Sequence, residues 1–96
     1  MVVLPDFYFY FPNAFTPNAN GLNDSYKGYG VGIKKYHMQI FDRWGERLFE
    51  TTDINIGWDG SYKGAKAPSA VYVVVFDLEG YHWEEKRYIG SVTIVK

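Results

Sequence analysis

Side chains that carry oxygen recur at short intervals between residues 18 and 24, in a stretch that also holds a glycine suited to a sharp turn. Several oxygens converging from one flexible stretch are the ligands that calcium prefers in proteins. The candidate ligands are Asn18, Asn20, Asn23 and Asp24. Because only Asp24 is charged, the alternative is that these side chains form Asx turns that hold the loop without an ion. We expect Asx turns and no cofactor, with calcium as the alternative.

Residue types that commonly catalyse reactions are scattered along this chain. The two histidines, His37 and His82, fall inside predicted strands, and no serine lies in the strand-to-helix turn of a nucleophile elbow. Glu84 and Glu85 are adjacent on a predicted strand, so their side chains point to opposite faces and cannot act as a carboxylate pair. We therefore expect a protein that is not an enzyme.

Three tryptophans, Trp44, Trp58 and Trp83, could form a stacking platform for sugars. Trp44 and Trp58 lie beside glycines at predicted turns, which favours a different role. We expect them to close the core or its ends, with each indole N–H donating to a backbone carbonyl. Arg43 is expected to stack on an aromatic ring or to pair with a nearby carboxylate.

The segment from residue 36 to residue 50 has the pattern of a β-hairpin. Tyr36, Met38 and Ile40 alternate with more polar residues, which is the period of a half-buried strand. A tight turn at residues 43–46 contains Gly45, and a return strand follows it. Residues 7–11 are a candidate for a further short aromatic strand, whereas the glycine-rich residues 28–32 suit neither a helix nor a regular strand.

The second half of the chain has a nearly continuous apolar run at residues 71–76, which predicts a central strand covered on both faces. We expect Val71, Val73 and Val75 to be buried together with Ile40. Residues 79–80 are predicted to close a two-residue hairpin into a strand at residues 81–88, whose charges on both faces indicate a protected edge. Gly90 is expected to interrupt the chain before a last strand at residues 92–95.

Length and composition indicate one small all-β domain. The 96 residues include three Trp, nine Tyr and seven Phe, and aromatic side chains suit the pleated surface of a sheet. About seven short strands separated by turns every eight to twelve residues predict an immunoglobulin-like antiparallel β-sandwich.

Charge and hydropathy exclude several classes of partner. A net charge of −1 provides no field to attract phosphates, so nucleic acid is not an expected partner. No apolar run approaches the roughly 18 residues that span a bilayer, so we expect no membrane span. The N-terminal segment lacks the basic region of a signal peptide. We therefore expect the chain to be a domain excised from a longer precursor.

Five motifs in order resemble one family, the gliding motility-associated C-terminal domain, which is the type B sorting domain of the bacterial type IX secretion system. They are PNAFTPNANGLNDSY at Pro12–Tyr26, YHMQIFDRWGERLFE at Tyr36–Glu50, GWDG at Gly57–Gly60, and the segments Pro68–Val74 and Gly90–Lys96. The chain departs from the family pattern at Ala19, which removes a carboxylate from the first loop, and at Ala70, where the family usually has glycine.

The resemblance implies a secretion signal that targets a larger cargo protein for export across the outer membrane. Its partners would be the type IX machinery, meaning the translocon and its shuttle or partner proteins, and its location would be secreted or cell-surface, reached via the periplasm. We expect recognition to involve the turn residues Asp42, Arg43, Trp44 and Gly45, together with Lys96. The alternative function is an adhesin-like module that binds calcium or carbohydrate.

Overall fold

The computed structural model describes residues 8–17, 25–81 and 85–95, and within these ranges the protein is all β with no helix. The strands are β1 (Tyr8–Tyr10), β2 (Ala14–Phe15), β3 (Tyr29–Val31), β4 (Ile33–Phe41), β5 (Arg47–Thr51), β6 (Ser61–Tyr62), β7 (Ala65–Lys66), β8 (Val71–Gly80) and β9 (Glu85–Ile94). The all-β prediction is therefore confirmed. The described strands number nine rather than seven because the loops contribute short pairs of two or three residues.

A five-stranded sheet in the order β2-β9-β8-β4-β5 is the main layer. Its neighbours are antiparallel except β2, which runs parallel to β9. The β1–β3 pair lies across one face of this sheet, where the Phe9 ring is 4.9 Å from the ring of Phe76 and 5.5 Å from that of Tyr88. The two layers form a β-sandwich consistent with an immunoglobulin-like fold.

The core lies between these layers and is lined by alternate residues of the long strands. Tyr36, Met38 and Ile40 of β4 are buried on the same face, as their spacing predicts. Other strands and loops complete the core with Phe15, Tyr26, Trp58, Tyr72, Val74, Phe76, Leu78, Val92 and Ile94. The hairpin predicted for residues 36–50 is also confirmed, since β4 pairs with β5 across it.

The prediction that Val71, Val73 and Val75 are buried is wrong. Val71 is 55% exposed, Val73 is 37% exposed and Val75 is half-buried, whereas Val74 is fully buried. The sheet packs on the aromatic layer with one face only, so β8 alternates between core and solvent like any half-covered antiparallel strand. A run of valines contains no polar residue to mark which positions face outward.

Strands include residues at three places where the sequence predicted a turn, an interruption or irregular structure. Glu79 pairs with Glu85, and Gly80 ends β8 opposite Ile33, so the predicted two-residue hairpin at residues 79–80 is wrong. The predicted interruption at Gly90 is also wrong, because Gly90 pairs with Val74 within β9. Residues 28–32 were expected to form no regular strand, yet β3 lies within them.

Candidate recognition surface

The β4–β5 turn, residues 42–46, is held by the carboxylate of Asp42. Its Oδ1 accepts hydrogen bonds from the backbone N–H groups of Trp44 and Glu46, both at 2.9 Å. The Gly45 N–H donates to the Asp42 carbonyl at 3.1 Å. Gly45 has φ +86°, a left-handed conformation that glycine adopts without steric cost. The order Asp-Arg-Trp-Gly therefore specifies this turn locally.

Trp44 projects from the turn into solvent. Its side chain is 80% exposed, and the guanidinium carbon of Arg43 lies 4.9 Å from the centroid of its ring. The expected stacking of Arg43 on an aromatic ring is thus confirmed, whereas the expected burial of Trp44 is wrong. Tryptophan and arginine are the side chains most enriched at the energetic centres of protein interfaces. The turn therefore displays a pair suited to binding a partner.

Trp58 occupies the opposite environment. Its side chain is fully buried, and its indole Nε1–H donates to the Ser61 carbonyl at 2.9 Å, which confirms the expected structural role. Backbone hydrogen bonds of 2.7 and 2.8 Å join Trp58 to Tyr26. Trp83 lies outside the described residues.

A second contact anchors the β4–β5 turn to the β6–β7 pair. The Tyr62 hydroxyl donates to the carboxylate of Glu46, and this hydrogen bond raises the pKa of Tyr62. Nearby, the hydroxyl and the backbone N–H of Ser61 both donate to Asp59, at 2.5 and 2.9 Å, and lower the pKa of that carboxyl group. The Tyr62–Glu46 contact joins the base of the turn to β6, and Asp59 orders the chain that leads into β6.

The outer face of the main sheet is divided into an apolar part and a charged part. We call the apolar part the outer-face patch, and it consists of Val71, Val73, Val75 and Ile89. It lies at the end of the sheet that holds the β4–β5 turn, since Val73 pairs with Phe41, the last residue before that turn. The only signal for this patch in the sequence is the run of valines, whose outward phase cannot be seen without the register.

Cross-strand ion pairs cover the other half of the same face. The Arg87 Nε lies 2.7 Å from Asp77 Oδ1 and lowers the pKa of Asp77. His37 Nε2 lies 2.6 Å from Glu50 Oε2, and this hydrogen bond lowers the pKa of Glu50. These pairs are exposed, so each contributes little to stability. The four residues of the outer-face patch carry no charge, and a further ion pair, between Arg47 and Glu50, lies beside them on β5.

The predicted site residues lie partly inside and partly outside the described ranges. Asp42, Arg43, Trp44 and Gly45 lie together on one turn, whereas Lys96 lies outside the described residues. The candidate calcium ligands Asn18, Asn20, Asn23 and Asp24 also lie outside them. Within the described ranges, no group of three His, Asp or Glu side chains could hold a metal ion. Nor does the part of the chain that the structure describes contain a helix long and apolar enough to cross a membrane.

A small β-sandwich that displays an exposed tryptophan turn and an apolar sheet face has the features of a protein-recognition domain. Residues 9–94 match the family model of the CHU_C type IX secretion signal domain, and the chain therefore belongs to that family. Its function is that of an export signal for the type IX secretion system. No curated protein sequence matches the chain. The family match confirms the resemblance found in the sequence and gives no support to an adhesin-like module.

Proposed function

We propose that this domain is the C-terminal sorting tag of a larger cargo protein and that the type IX machinery of the outer membrane binds it in the folded state. The family match supports an export role and a secreted or cell-surface cargo. The translocon, with its shuttle or partner proteins, is the proposed partner, and the periplasm is the proposed route. The domain itself performs no catalysis in this scheme, because its task is to be bound.

The exposure of Trp44 is the observation that supports this proposal most directly. The Trp44 indole is 80% exposed on a turn fixed by Asp42, and among the described residues its ring contact is with the guanidinium of Arg43. A rigid side chain loses little conformational entropy on binding, which makes it an efficient anchor. We propose that Asp42 and Gly45 shape the turn while Arg43 and Trp44 contact the machinery, with Lys96 as a second contact.

Export of a fluorescent reporter tests the proposal. The reporter would have an inner-membrane signal and this domain at its C-terminus, in a bacterium that has the type IX system. Trp44→Ala is expected to reduce the reporter in the medium and on the cell surface at least about tenfold, as loss of a central interface residue does. Ile56→Ala, at another exposed apolar residue, is the matched control and should export normally. Normal export by Trp44→Ala would remove the turn from the recognition surface.

The terminal contact needs its own variant. Lys96→Glu reverses one charge and leaves every core residue named above unchanged, so we expect the domain to fold and export to fall. The melting temperature of the purified variant checks the first point, and the exported reporter checks the second. Unchanged export would show that the machinery does not use Lys96.

We also propose that Asn18, Asn20, Asn23 and Asp24 hold their loop through Asx turns rather than through calcium. Millimolar calcium should then shift the melting temperature by less than about 5 °C, because binding that stabilises a domain of this size by about 1 kcal/mol shifts it by roughly that amount. A larger shift that Asp24→Asn abolishes would establish a calcium site instead.

A further inference from the structure

Strand β9 has an open edge along most of its length. On one side it pairs with β8 from Glu85 to Thr93. On the other side its only pairing among the described strands is with β2, at Thr93 and Ile94. Residues 85–92 therefore form a long edge without a neighbour in the described part of the chain, which we call the β9 edge.

The hydrogen bonds at the end of β9 show which backbone groups face this edge. The N–H groups of Thr93 and Val95 donate towards β2, at 2.9 and 3.0 Å, whereas the N–H of Ile94 donates to Ala70 on the β8 side at 3.0 Å. Successive residues of a strand direct their backbone groups to opposite sides, and the β8–β9 register is unbroken. The open edge therefore presents the N–H and C=O groups of Glu85, Arg87, Ile89 and Ser91.

Charge protects only the first part of this edge. The predicted protection is present at Glu85, Lys86 and Arg87, but the edge is uncharged from Tyr88 onward. Ile89 is 66% exposed and pairs with Val75, so the outer-face patch extends to the open edge. An apolar side chain on an added strand could therefore pack against Ile89 and the outer-face patch.

The inner side of the edge is already occupied. The ring of Phe11 lies so close to Gly90 that a Cβ atom at that position would be 2.7 Å from it. An added strand would therefore gain its side-chain contacts on the outer face, beside Ile89, and its main-chain hydrogen bonds from the odd-numbered residues. Such an edge binds an extended peptide backbone, because only that geometry matches the spacing of its donors and acceptors.

We propose that the part of the β9 edge from Arg87 to Ser91 binds an extended segment of the type IX machinery as an additional strand of the main sheet. The segment would place an apolar side chain beside Ile89 and would have no proline at its hydrogen-bonded positions. This inference rests on the proposed function, which supplies a protein partner, and it adds a contact region to those proposed at the β4–β5 turn and at Lys96.

A proline at position 91 tests the edge with little change elsewhere. The Ser91 N–H faces the open side, so Ser91→Pro removes a donor from the edge and leaves the β8–β9 hydrogen bonds in place. Ser91→Thr keeps the donor and is the matched control. We expect Ser91→Pro to reduce export of the reporter at least about tenfold, the factor that a loss of about 1.4 kcal/mol in binding produces, while Ser91→Thr exports normally.

A second pair of variants covers the case in which Ser91→Pro fails to fold. Ile89→Lys places a charge at the centre of the edge, where charged side chains oppose the addition of a strand. Ile56→Lys places the same charge at an exposed isoleucine outside the edge and is the matched control. We expect export to fall for Ile89→Lys only, with the melting temperatures of both purified variants close to that of the parent domain.

The outcomes separate the inference from the proposed function. If the parent domain exports no reporter, the proposed function fails. If the parent exports and the folded Ser91→Pro and Ile89→Lys variants export equally well, the β9 edge is not a binding site and the proposed function stands. If sedimentation shows that the parent dimerises, that Ser91→Pro does not, and that export is unaffected, the edge binds a second copy and the inference is overturned.

Discussion

Trp44 and Trp58 show what neighbouring residues do to the same side chain. Both lie close to glycines at turns, yet Trp44 is exposed and Trp58 is fully buried. The buried position of Trp58 is stabilised by its backbone hydrogen bonds with Tyr26 and by the hydrogen bond from its indole N–H to the Ser61 carbonyl. The sequence does not show that Tyr26, which is 32 residues away, pairs with Trp58. Trp44 lies at the tip of a hairpin, where it is 80% exposed and no second layer of the described strands covers it. The sequence therefore identified the turn as a candidate site but not the exposure of its tryptophan.

Val73 and Val74 are adjacent residues with opposite environments, and their truncation should differ accordingly. Val74→Ala is expected to lower the free energy of unfolding by about 2 kcal/mol, because it removes two methyl groups from a fully buried site. Val73→Ala should cost less than about 1 kcal/mol, since its side chain is partly in solvent. Urea denaturation of the two variants measures both values. Equal losses would contradict the observed phase of β8.

Two buried tyrosines should make the domain unstable in alkali. Burial raises the pKa of Tyr36 to about 12 and raises that of Tyr26 further. The folded state therefore retains phenolic protons that the unfolded chain releases near pH 10. The stability that these groups provide is complete below pH 10 and is lost as the pH rises towards 12, by up to about 1.4 kcal/mol per pH unit for each tyrosine.

Tyr36→Phe separates this effect from general alkaline damage. The Tyr36 hydroxyl accepts a hydrogen bond from the Gly28 N–H at 3.2 Å, so its removal should destabilise the domain at neutral pH. The fall in unfolding free energy between pH 10 and 12 should be shallower in the variant than in the parent. An unchanged slope would show that Tyr36 titrates normally in the folded state.

At the scale of strands, periodicity decided what could be predicted. The β4–β5 hairpin follows from alternation around Met38 and Ile40 and from the turn chemistry of Asp42 and Gly45. The phase of β8 does not, because valine occupies both of its faces. The continuity of β9 was missed for a different reason, since a glycine inside a strand indicates either a break or a close approach by another group. Only the position of Phe11 distinguishes these two cases.

Gly90 provides a test of that close approach. Alanine normally stabilises a strand relative to glycine, because glycine loses more conformational freedom on folding. Here a Cβ atom would lie 2.7 Å from the Phe11 ring, so Gly90→Ala should instead destabilise the domain by roughly 1–3 kcal/mol. The double variant Gly90→Ala with Phe11→Ala should show a much smaller additional loss from the glycine change. Stabilisation by Gly90→Ala alone would mean that the ring does not occupy this site.

For the molecule as a whole, the β4–β5 turn and the β9 edge both belong to the main sheet. The β4–β5 turn extends from two of its strands, and the β9 edge is one of its borders. Their relative position depends on the register of β4, β8 and β9, which the shared core fixes. The free energy of unfolding of a domain of this size is only about 5–15 kcal/mol. Truncation of one large core residue should therefore favour unfolding, in which the turn and the edge lose their structure together. Recognition of the folded state would thus make export depend on the stability of the core.

The two tryptophans separate recognition from folding in one experiment with a matched chemical change. Trp58→Ala should lower the free energy of unfolding by about 3–5 kcal/mol, and hence the melting temperature by roughly 15–30 °C, because its ring packs 5.7 Å from that of Phe15 and 5.4 Å from that of Tyr72. Export of its reporter should fall at the normal growth temperature and recover in cultures kept below the new melting temperature. Trp44→Ala should melt like the parent and export poorly at both temperatures. If Trp58→Ala is exported as well as the parent while the purified variant is unfolded, the machinery recognises a linear segment, and the requirement for a folded signal is refuted.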